Sequence, residues 1–363
     1  MNPIKFFFRK PFRLLFVFVF LITISNNAKS QVSYYVKQSA TGLNNGSSWA
    51  NAFTSLATAF SVIANKDTIR VAKGIYTPGT NALNSFKLKD SVIIMGGYPD
   101  TGNPTDANRN FGDYQSVMSG EIGVPNNSLD NIKIILQATN VKGFVVDGFV
   151  IEKGYAEGST ELGPIYFTGS TGIIDHSVVR NNYNYWGGSA INTINTTATL
   201  SNSFIENNST ETGNGNGSVF NLSSTSNIKL INTVVAKNKS RLLINQSYST
   251  SKLINCTVFK NYGFSSIHDT SNMTVQNSIF YRNGDNYYVD TAEFIKDVYS
   301  AITISNTITE VYNFSGQSYL GVDPKFTDTA NVTGTDGKYF TTDDGLLIVI
   351  AEYTSFINSA VST

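Results

Sequence analysis

Two nine-residue stretches, LINTVVAKN (230–238) and LINCTVFKN (253–261), are identical at six positions and begin 23 residues apart. The same nine-residue frame fits five further stretches, with start-to-start spacings of 22 to 30 residues: VDGFVIEKG (146–154), IDHSVVRNN (174–182), LSNSFIENN (200–208), VQNSIFYRN (275–283) and ISNTITEVY (304–312). A period of this length, built from short strands rich in β-branched residues, indicates a solenoid.

The composition of the repeat indicates which solenoid. Each unit has a strand rich in Val, Ile, Phe and Thr and then a loop rich in Gly, Asn and Ser. The units lack the consensus leucines and the helical return of a leucine-rich repeat. Such a unit buries its apolar side only when each strand pairs with its counterpart one turn later. The sequence therefore predicts an all-β fold, a parallel β-helix.

Two positions of the frame carry asparagine. Asn tolerates tight-turn backbone angles, and its amide can donate and accept along a stack, as in cross-β ladders. We expect one ladder at the third position, after Gly148, from His176, Asn202, Asn232, Asn255, Asn277 and Asn306. We expect a second at the ninth position, after Gly154, from Asn182, Asn208, Asn238, Asn261 and Asn283.

The apolar positions of the frame predict its interior. Positions one and six are apolar almost throughout, so both should point inward. Position four is mostly small (Ser, Thr or Cys256) and should stack inside near the asparagine corner. Position five is also apolar, and the pattern leaves open which way it faces.

The first thirty residues have the features of a secretory signal peptide. A basic start at Lys5, Arg9, Lys10 and Arg13 precedes an apolar run over 14–24, and Ala28-Lys29-Ser30 offers a cleavage site before Gln31. The run is about half the ~20 residues of a membrane span. We therefore expect a secreted or outer-membrane, cell-surface protein without a transmembrane span in the mature chain.

Charge and cysteine content narrow the class of partner. Residues 31–363 carry 21 basic and 26 acidic side chains and no basic stripe, which argues against nucleic acid. The amide- and hydroxyl-rich composition suits glycans or another cell-surface component. Cys256 is the only cysteine, so no intramolecular disulfide forms, and we expect it to be a buried core residue.

The first half of the mature chain begins differently. Residues 46–64 place aromatic and aliphatic side chains at helical spacing, with Ser47 or Ser48 as N-cap. An amphipathic helix here would cover the open end of the solenoid. The predicted organisation is a signal peptide (1–30), an N-terminal strand and capping helix (31–66), the β-helix (67–320) and a closing segment (321–363).

Beyond the repeat, four stretches resemble a known family: GSSWANAFTSLATAF (46–60), DTIRVAKGIYTP (67–78), FKLKDSVIIMGGYPD (86–100) and VMSGEIG (117–123). They are similar to the N-terminal region of secreted, single-stranded right-handed parallel β-helix proteins of Gram-negative bacteria, which have the shape of the pectate-lyase-like superfamily. Related repeats occur in polymorphic outer-membrane adhesins and autotransported passengers. The resemblance covers nearly all of 34–360 and implies a further segment beyond Thr363.

The resemblance implies what an enzyme of this shape would need. Lyases of the superfamily use clustered Asp residues for calcium and a Lys or Arg base, and the related hydrolases use paired aspartates and a His-Gly element. The seventh position offers Glu152, Arg180 and Glu206, but alternating charges are usual on a solvated strand. These strands show no Asp-Asp pair, and His176 occupies a corner. We therefore predict no catalytic residues.

Two further groups of residues are candidates, one for a catalytic dyad and one for a calcium site. His268 beside Asp269 is either a dyad or, more simply, part of an exposed turn. Asp336, Asp343 and Asp344 in TGTDGKYFTTDDGL (333–346) are weak candidates for calcium. A β-hairpin with Asp-Gly turns explains the same residues, so we expect no cofactor, with calcium as the open alternative.

Aromatic residues collect in the loops that leave the ninth position. They should lie along one edge, where they either bind the apolar faces of sugars or cover the solenoid: Tyr155, Tyr183, Tyr185, Trp186, Tyr262 and Tyr287. The leading hypothesis is an exported, non-catalytic, adhesin-like protein that binds glycans or another cell-surface partner. The alternative is a polysaccharide lyase or glycoside hydrolase acting on uronic-acid-containing chains.

Overall fold

A computed structural model describes residues 31–158, 162–211, 217–283, 294–309, 318–320, 323–326 and 328–346. Within it, Val32–Thr363 forms one compact unit. The predicted signal peptide lies outside the described residues, as does Tyr287.

The described chain folds into strands that form three long sheets and one short sheet, and every pairing is parallel. Sheet A contains, in spatial order, β1 (Ser33–Val36), β2 (Thr68–Ala72), β5 (Ile93–Tyr98), β8 (Phe144–Asp147), β12 (Thr171–Asp175), β16 (Thr197–Ser201), β20 (Asn227–Ile231), β23 (Thr250–Ile254), β26 (Asn272–Gln276) and β29 (Ala301–Ser305). Sheet B contains β3 (Gly74–Tyr76), β6 (Ser116–Ser119), β9 (Phe149–Glu152), β13 (Val178–Arg180), β17 (Phe204–Glu206), β21 (Val234–Ala236), β24 (Thr257–Phe259), β27 (Ile279–Tyr281), β30 (Thr307–Thr309) and β31 (Ser318–Leu320).

Sheet C contains β4 (Phe86–Lys87), β7 (Leu136–Thr139), β11 (Ile165–Thr168), β15 (Gly188–Ile194), β19 (Ser218–Ser223), β22 (Leu242–Ser247), β25 (Phe264–His268) and β28 (Phe294–Lys296). Sheet D contains β10 (Tyr155–Ala156), β14 (Tyr183–Asn184) and β18 (Ser209–Thr210). The helices are α1 (Leu56–Val62) and two 3₁₀ turns, Asp106–Asn108 and Ser128–Asp130. The predicted parallel β-helix is confirmed.

The repeats pair in the register that the frame predicts. Leu230 lies beside Leu253 in sheet A, and Val235 lies beside Val258 in sheet B. Because the pairing is parallel and in register, residues at the same frame position become neighbours one strand apart, ~4.8 Å. Positions one and six point inward and are at most 2% exposed from 146 to 304, which confirms their predicted burial.

From 146 to 276 each turn of the solenoid has three corners with left-handed backbone, one more than the sequence indicated. Position three is left-handed in every repeat, from Gly148 (φ 83°) to Asn306 (φ 47°). The second corner is at position eight, one residue before the predicted asparagine, for example Lys237 (φ 56°). The third precedes sheet A, for example at Asn195 (φ 48°). Gly and Asn suit these corners because they adopt this conformation at little cost.

Small hydroxyl side chains bridge successive turns beside the corners. At position four, Ser177 N–H donates to Ser203 Oγ (3.1 Å) and Cys256 N–H donates to Ser278 Oγ (3.0 Å). Cys256 is 1% exposed, as expected for a member of this column. A second column, from Ser170 to Ser300, makes the same backbone bonds at the corner before sheet A.

The N-terminal helix is shorter than predicted. It begins after Ser55, whose Oγ accepts from Thr58 N–H (3.4 Å), and not after Ser47 or Ser48. Trp49 lies outside the helix because its indole donates to Pro104 O (2.8 Å), in an apolar cluster with Tyr98. The helix packs against β1 and β4, the first strands of sheets A and C. Its function as an end cap remains a prediction.

The closing segment lies across the outer face of sheet B. Position five faces outward, and Val150, Val178 and Phe204 form an apolar cluster with Val332 and Tyr339 of this segment. The ammonium groups of Lys237 and Lys260 donate to backbone carbonyls at 330 and 329 (2.6 and 3.3 Å). Residues 328–346 form turns without a strand, so the predicted hairpin is wrong: backbone bonds within the segment, such as Asp328 N–H to Gly345 O (2.8 Å), do not extend into a ladder.

Candidate functional site

The floor of the candidate site is the asparagine column at position nine. Asn182 Nδ2 donates to Asn208 Oδ1 (2.9 Å), and the same bond repeats through Asn238, Asn261 and Asn283 at 2.8 to 3.0 Å. Each Oδ1 also accepts the backbone N–H of the preceding turn, as in Asn208 N–H to Asn238 Oδ1 (3.0 Å). The amides are saturated by one another, which makes this corner rigid and leaves the neighbouring columns to meet ligands.

The residue after each asparagine forms the next column. Tyr183 N–H donates to Gly154 O (2.9 Å), and equivalent bonds place Ser209, Lys239 and Tyr262 on successive turns. Tyr155 precedes Tyr183 in sheet D. The column therefore runs Tyr155, Tyr183, Ser209, Lys239, Tyr262, one residue per turn.

Two tyrosines of this column stack on each other. The rings of Tyr155 and Tyr183 are 4.7 Å apart with an interplanar angle of 18°. Both are half-buried, and partial loss of hydration raises the pKa of Tyr155 and that of Tyr183, the latter to about 12. The negative charges of Glu157 and Glu211 contribute to both shifts. The phenols therefore stay protonated and can donate hydrogen bonds.

A groove of about 410 Å³ runs beside this stack. Its walls come from the position-eight column, the tyrosine column and the 121–131 loop. The lining residues are Glu121, Asn126, Ser128, Asn131, Lys153, Gly154, Tyr155, Asn181, Asn182, Tyr183, Asn207 and Ser209. Lys153 Nζ pairs with Glu121 Oε2 (3.1 Å). The groove thus combines aromatic faces with amides and hydroxyls.

The other predicted aromatic residues do not line this groove. Tyr185 and Trp186 form their own edge-to-face pair, with ring centroids 5.3 Å apart. Tyr262 belongs to the tyrosine column but lies two turns beyond Ser209. The structure thus brings Tyr155 and Tyr183 together at the groove and places the other described aromatics along the same corner.

At position three the side chains behave differently along the column. Asn232 Nδ2 donates to Asn202 Oδ1 (3.2 Å), and Asn255 Nδ2 donates to Asn232 Oδ1 (3.1 Å). His176 has the corner backbone but not an amide partner, because its Nδ1 faces Asp175 Oδ2 (3.1 Å) and Asp147 Oδ1 (3.5 Å). No such side-chain bond is recorded for Asn277 or Asn306 with the preceding asparagine of the column.

The aspartates beside His176 form a pair that the sequence search missed. Asp147 and Asp175 are register partners on neighbouring strands, because both occupy position two. Within the described ranges, only these two carboxylates and His176 bring three potential metal ligands within 4.8 Å of one another. The two aspartates lie 28 residues apart in the sequence and become neighbours only because the same frame position recurs one turn later.

This cluster does not fit the calcium site that the family resemblance implies. Arg109 Nη1 pairs with Asp147 Oδ2 (2.6 Å), and Asp175 Oδ1 accepts from Ser201 Oγ (2.8 Å) and Asn202 Nδ2 (2.9 Å). Calcium takes six to eight oxygen ligands, whereas here a guanidinium already supplies the positive charge. The arrangement is typical of an ion-pair network that ties the 109–111 loop to sheet A.

The charged residues at position seven are covered. Arg180 Nε pairs with Glu152 Oε2 (2.7 Å), and the Tyr339 hydroxyl donates to the Glu206 carboxylate. Glu206 is 6% exposed. The closing segment therefore buries Glu206 and contacts Arg180 through the Tyr339 hydroxyl.

The three aspartates of the closing segment have different surroundings. Asp343 accepts from Thr335 N–H, Thr335 Oγ1 (both 2.8 Å) and Thr341 Oγ1 (2.8 Å), and these bonds hold its pKa well below the usual range. Asp344 is 4% exposed, and burial raises its pKa to about 6. Asp336 accepts from the Lys338 N–H (2.8 Å). The bonds of Asp343 account for its position without metal.

The His268–Asp269 pair exists as a contact. His268 Nδ1 lies 2.7 Å from Asp269 Oδ2, and its Nε2 lies 3.1 Å from Asn245 Oδ1. Ser247 Oγ also donates to Asp269 Oδ2 (2.8 Å). Both imidazole nitrogens have protein partners, which suits a positioning role in the outer face of sheet C.

One wall of the groove was not apparent from the sequence. Glu121, Asn126, Ser128 and Asn131 come from a loop outside the nine-residue frame. The loop is held by hydrogen bonds of its own, such as Asn126 N–H to Glu121 Oε1 (3.0 Å). These bonds do not follow the repeat, so the repeat pattern does not predict where the loop lies. In addition, no helix in the described ranges is both long and apolar enough to cross a bilayer.

No protein-family model and no curated protein matches the chain. Three solved structures match the chain at low sequence identity. A crystal structure of pectate lyase Pel9A is 16% identical, covers 88% of this chain and 90% of that chain, and has a TM-score of 0.45. A complex of XylC with xylose is 11% identical over 81% of this chain and 87% of that chain, with a TM-score of 0.23. A rhamnogalacturonan lyase is 12% identical over 90% of this chain and 99% of that chain, with a TM-score of 0.50. Among these three, the last supports the fold assignment: the chain is a parallel β-helix protein.

Proposed function

We propose that this protein is an exported, non-catalytic β-helix that binds glycans through the groove beside Tyr155 and Tyr183. The observation that carries the proposal is the stacked tyrosine pair along a groove lined with amides and hydroxyls. Aromatic rings offer an apolar face, and their phenols and the surrounding amides offer hydrogen bonds, which together suit a sugar ring.

Export and surface display are part of the same proposal. The basic and apolar leader over 1–30, with cleavage after Ser30, would deliver residues 31–363 outside the cell. There the protein would act in an adhesin-like way on a glycan or another cell-surface component. The helix over 56–62 and the closing segment would protect the two regions of the solenoid that they cover.

The test is a glycan array with the mature protein, followed by titration calorimetry on each ligand found. Tyr183→Ala should weaken binding about tenfold, which corresponds to about 1.4 kcal/mol. Tyr299→Ala is the matched control because Tyr299 is 77% exposed in a turn before β29, outside the groove. Equal binding by both variants, or no glycan bound by the parent protein, would refute the proposal.

A second candidate is a polysaccharide lyase or glycoside hydrolase acting on uronic-acid-containing chains. One observation favours it: the Asp147–Asp175 pair lies beside His176, and carboxylates with an imidazole can transfer protons. Incubation with acidic polysaccharides, with and without calcium, tests it. Growth of the absorbance of unsaturated uronates indicates a lyase, and new reducing ends indicate a hydrolase; either activity must disappear in Asp175→Asn.

A further inference from the structure

The charges in the groove indicate whether its glycan ligand is neutral or acidic. Of the twelve lining residues, two are charged, Glu121 and Lys153, and they pair with each other at 3.1 Å. The remaining lining side chains are chiefly Asn, Ser and Tyr. Among the described lining residues the one cation, Lys153, is therefore paired, and an exposed cation outside the lining, Lys239, lies one turn beyond Ser209.

Two amides on the wall are available to a ligand. Asn181 (φ 54°) and Asn207 (φ 52°) occupy the left-handed corner at position eight, and both are exposed. In the described ranges neither side-chain amide has a recorded protein partner, in contrast to the saturated ladder beneath them. A free amide donates and accepts at once, which matches sugar hydroxyls and does not require a charged substituent.

The tyrosine column contains a gap at Ser209, where a small side chain replaces an aromatic ring. Tyr155 covers one face of Tyr183, but the next residue in the column is Ser209, whose small side chain lies in the place of a third ring. The far side of the gap is Lys239, one strand further along. A sugar ring above Ser209 would therefore stack on Tyr183 within reach of Asn207.

The rim of the groove is acidic on the tyrosine side. Glu157 and Glu211 are exposed, lie two residues after Tyr155 and Ser209, and contribute to the raised pKa of both tyrosines. At the gap, the Lys239 ammonium would attract a uronate carboxylate, and the nearby Glu211 carboxylate would repel it. A neutral sugar makes hydrogen bonds to both groups without that opposition.

We infer that the groove binds an uncharged, hydroxyl-rich glycan, with one pyranose ring in the gap above Ser209, and that it discriminates against uronate-containing chains. This inference rests on the proposed glycan binding and names its ligand class.

The experiment compares short oligosaccharides of galactose with oligogalacturonates of the same linkage and length, alongside a panel of other neutral oligosaccharides. Calorimetry at low salt should show at least about tenfold tighter binding of a neutral chain than of the uronate, with the difference shrinking as salt screens the rim charges. Glu211→Gln combined with Glu157→Gln should raise uronate affinity by a larger factor than it changes neutral affinity, because glutamine removes the charge and keeps an amide that can bond to hydroxyls.

Ser209→Tyr tests the position of the bound ring. A third ring in the gap should weaken neutral-glycan binding about tenfold or more, whereas Tyr299→Ala should not; circular dichroism and the melting temperature confirm that both variants fold. Unchanged binding by Ser209→Tyr would overturn the assignment of the gap. Uronate binding equal to or tighter than neutral binding would overturn the inference while glycan binding itself stands, and no binding of any glycan would remove both.

Discussion

The asparagine ladder at position nine should be a major source of stability, and its replacement by glycine measures this. Asn208 is fully buried. Its Nδ2 donates to Val179 O (2.9 Å), Glu206 O (3.1 Å) and Asn238 Oδ1 (3.0 Å), and its Oδ1 accepts from Asn182 N–H (3.2 Å) and Asn182 Nδ2 (2.9 Å). Asn208→Gly removes all five bonds.

The magnitude follows from what the substitution leaves behind. The buried backbone N–H of Asn182 loses its acceptor, Asn208 Oδ1, which costs about 1–3 kcal/mol. The other lost bonds contribute on the order of 0.5–1 kcal/mol each. We therefore expect Asn208→Gly to lower the free energy of unfolding by about 3–7 kcal/mol.

The matched control is Asn232→Gly in the position-three ladder. Asn232 is exposed and makes two amide bonds, to Asn202 and from Asn255, that water can replace. Its φ is 50°, which glycine adopts without strain, and Gly148 occupies this position in an earlier turn. We expect a cost of about 1 kcal/mol or less.

Urea denaturation followed by circular dichroism gives both values. Asn208→Gly should move the midpoint far more than Asn232→Gly, with similar m-values. Equal shifts in the two variants would show that burial of the ladder does not determine its contribution and would refute the reasoning.

Three further predictions concern buried groups. Tyr339→Phe removes the hydroxyl that donates to the buried Glu206, so unfolding free energy should fall by about 1–3 kcal/mol in urea titrations; a change below about 0.5 kcal/mol would contradict that contact. Burial raises the pKa of Cys256 to about 12, so a thiol reagent at neutral pH should label it only after unfolding, and rapid labelling of the folded protein would disprove its burial. Burial raises the pKa of Asp344 to about 6, above its ordinary 3.8, so the folded state favours the protonated form and stability should fall as pH rises from about 4 to 7 by at most about 3 kcal/mol. Denaturation midpoints across this range should become flatter in Asp344→Asn than in the parent protein, and an unchanged slope would rule out the effect.

The sequence contained much of the fold because the solenoid is periodic. Leu230 and Leu253 occupy the same place in their repeats, and parallel in-register pairing makes them neighbours. The same argument brings Tyr155 beside Tyr183, which the loops after position nine had suggested. It would also have revealed Asp147 beside Asp175 had the same position been compared across turns.

The structure departs from the predicted helix where other hydrogen bonds compete with helical ones. The helix begins after Ser55 because the stretch before it is engaged elsewhere: Thr54 N–H donates to Asn44 Oδ1 (2.9 Å), and Trp49 reaches Pro104. Helical spacing of apolar residues continued through Trp49 and Phe53, but spacing alone does not include such bonds. The corner at position eight was likewise hidden, because in the described repeats Lys or Arg occupies it four times and Asn twice.

What the sequence by itself determined is the set of contacts between equivalent positions: the repeat of the coil, its apolar interior, its small-residue column and its ladder at position nine. What only the tertiary structure decided is how parts outside the repeat come to lie on the coil. The 121–131 loop closes the groove, Arg109 neutralises Asp147, and the closing segment covers position five of sheet B. A period fixes neighbours one turn apart, whereas these contacts join residues that share no period, so their places depend on the path of the whole folded chain.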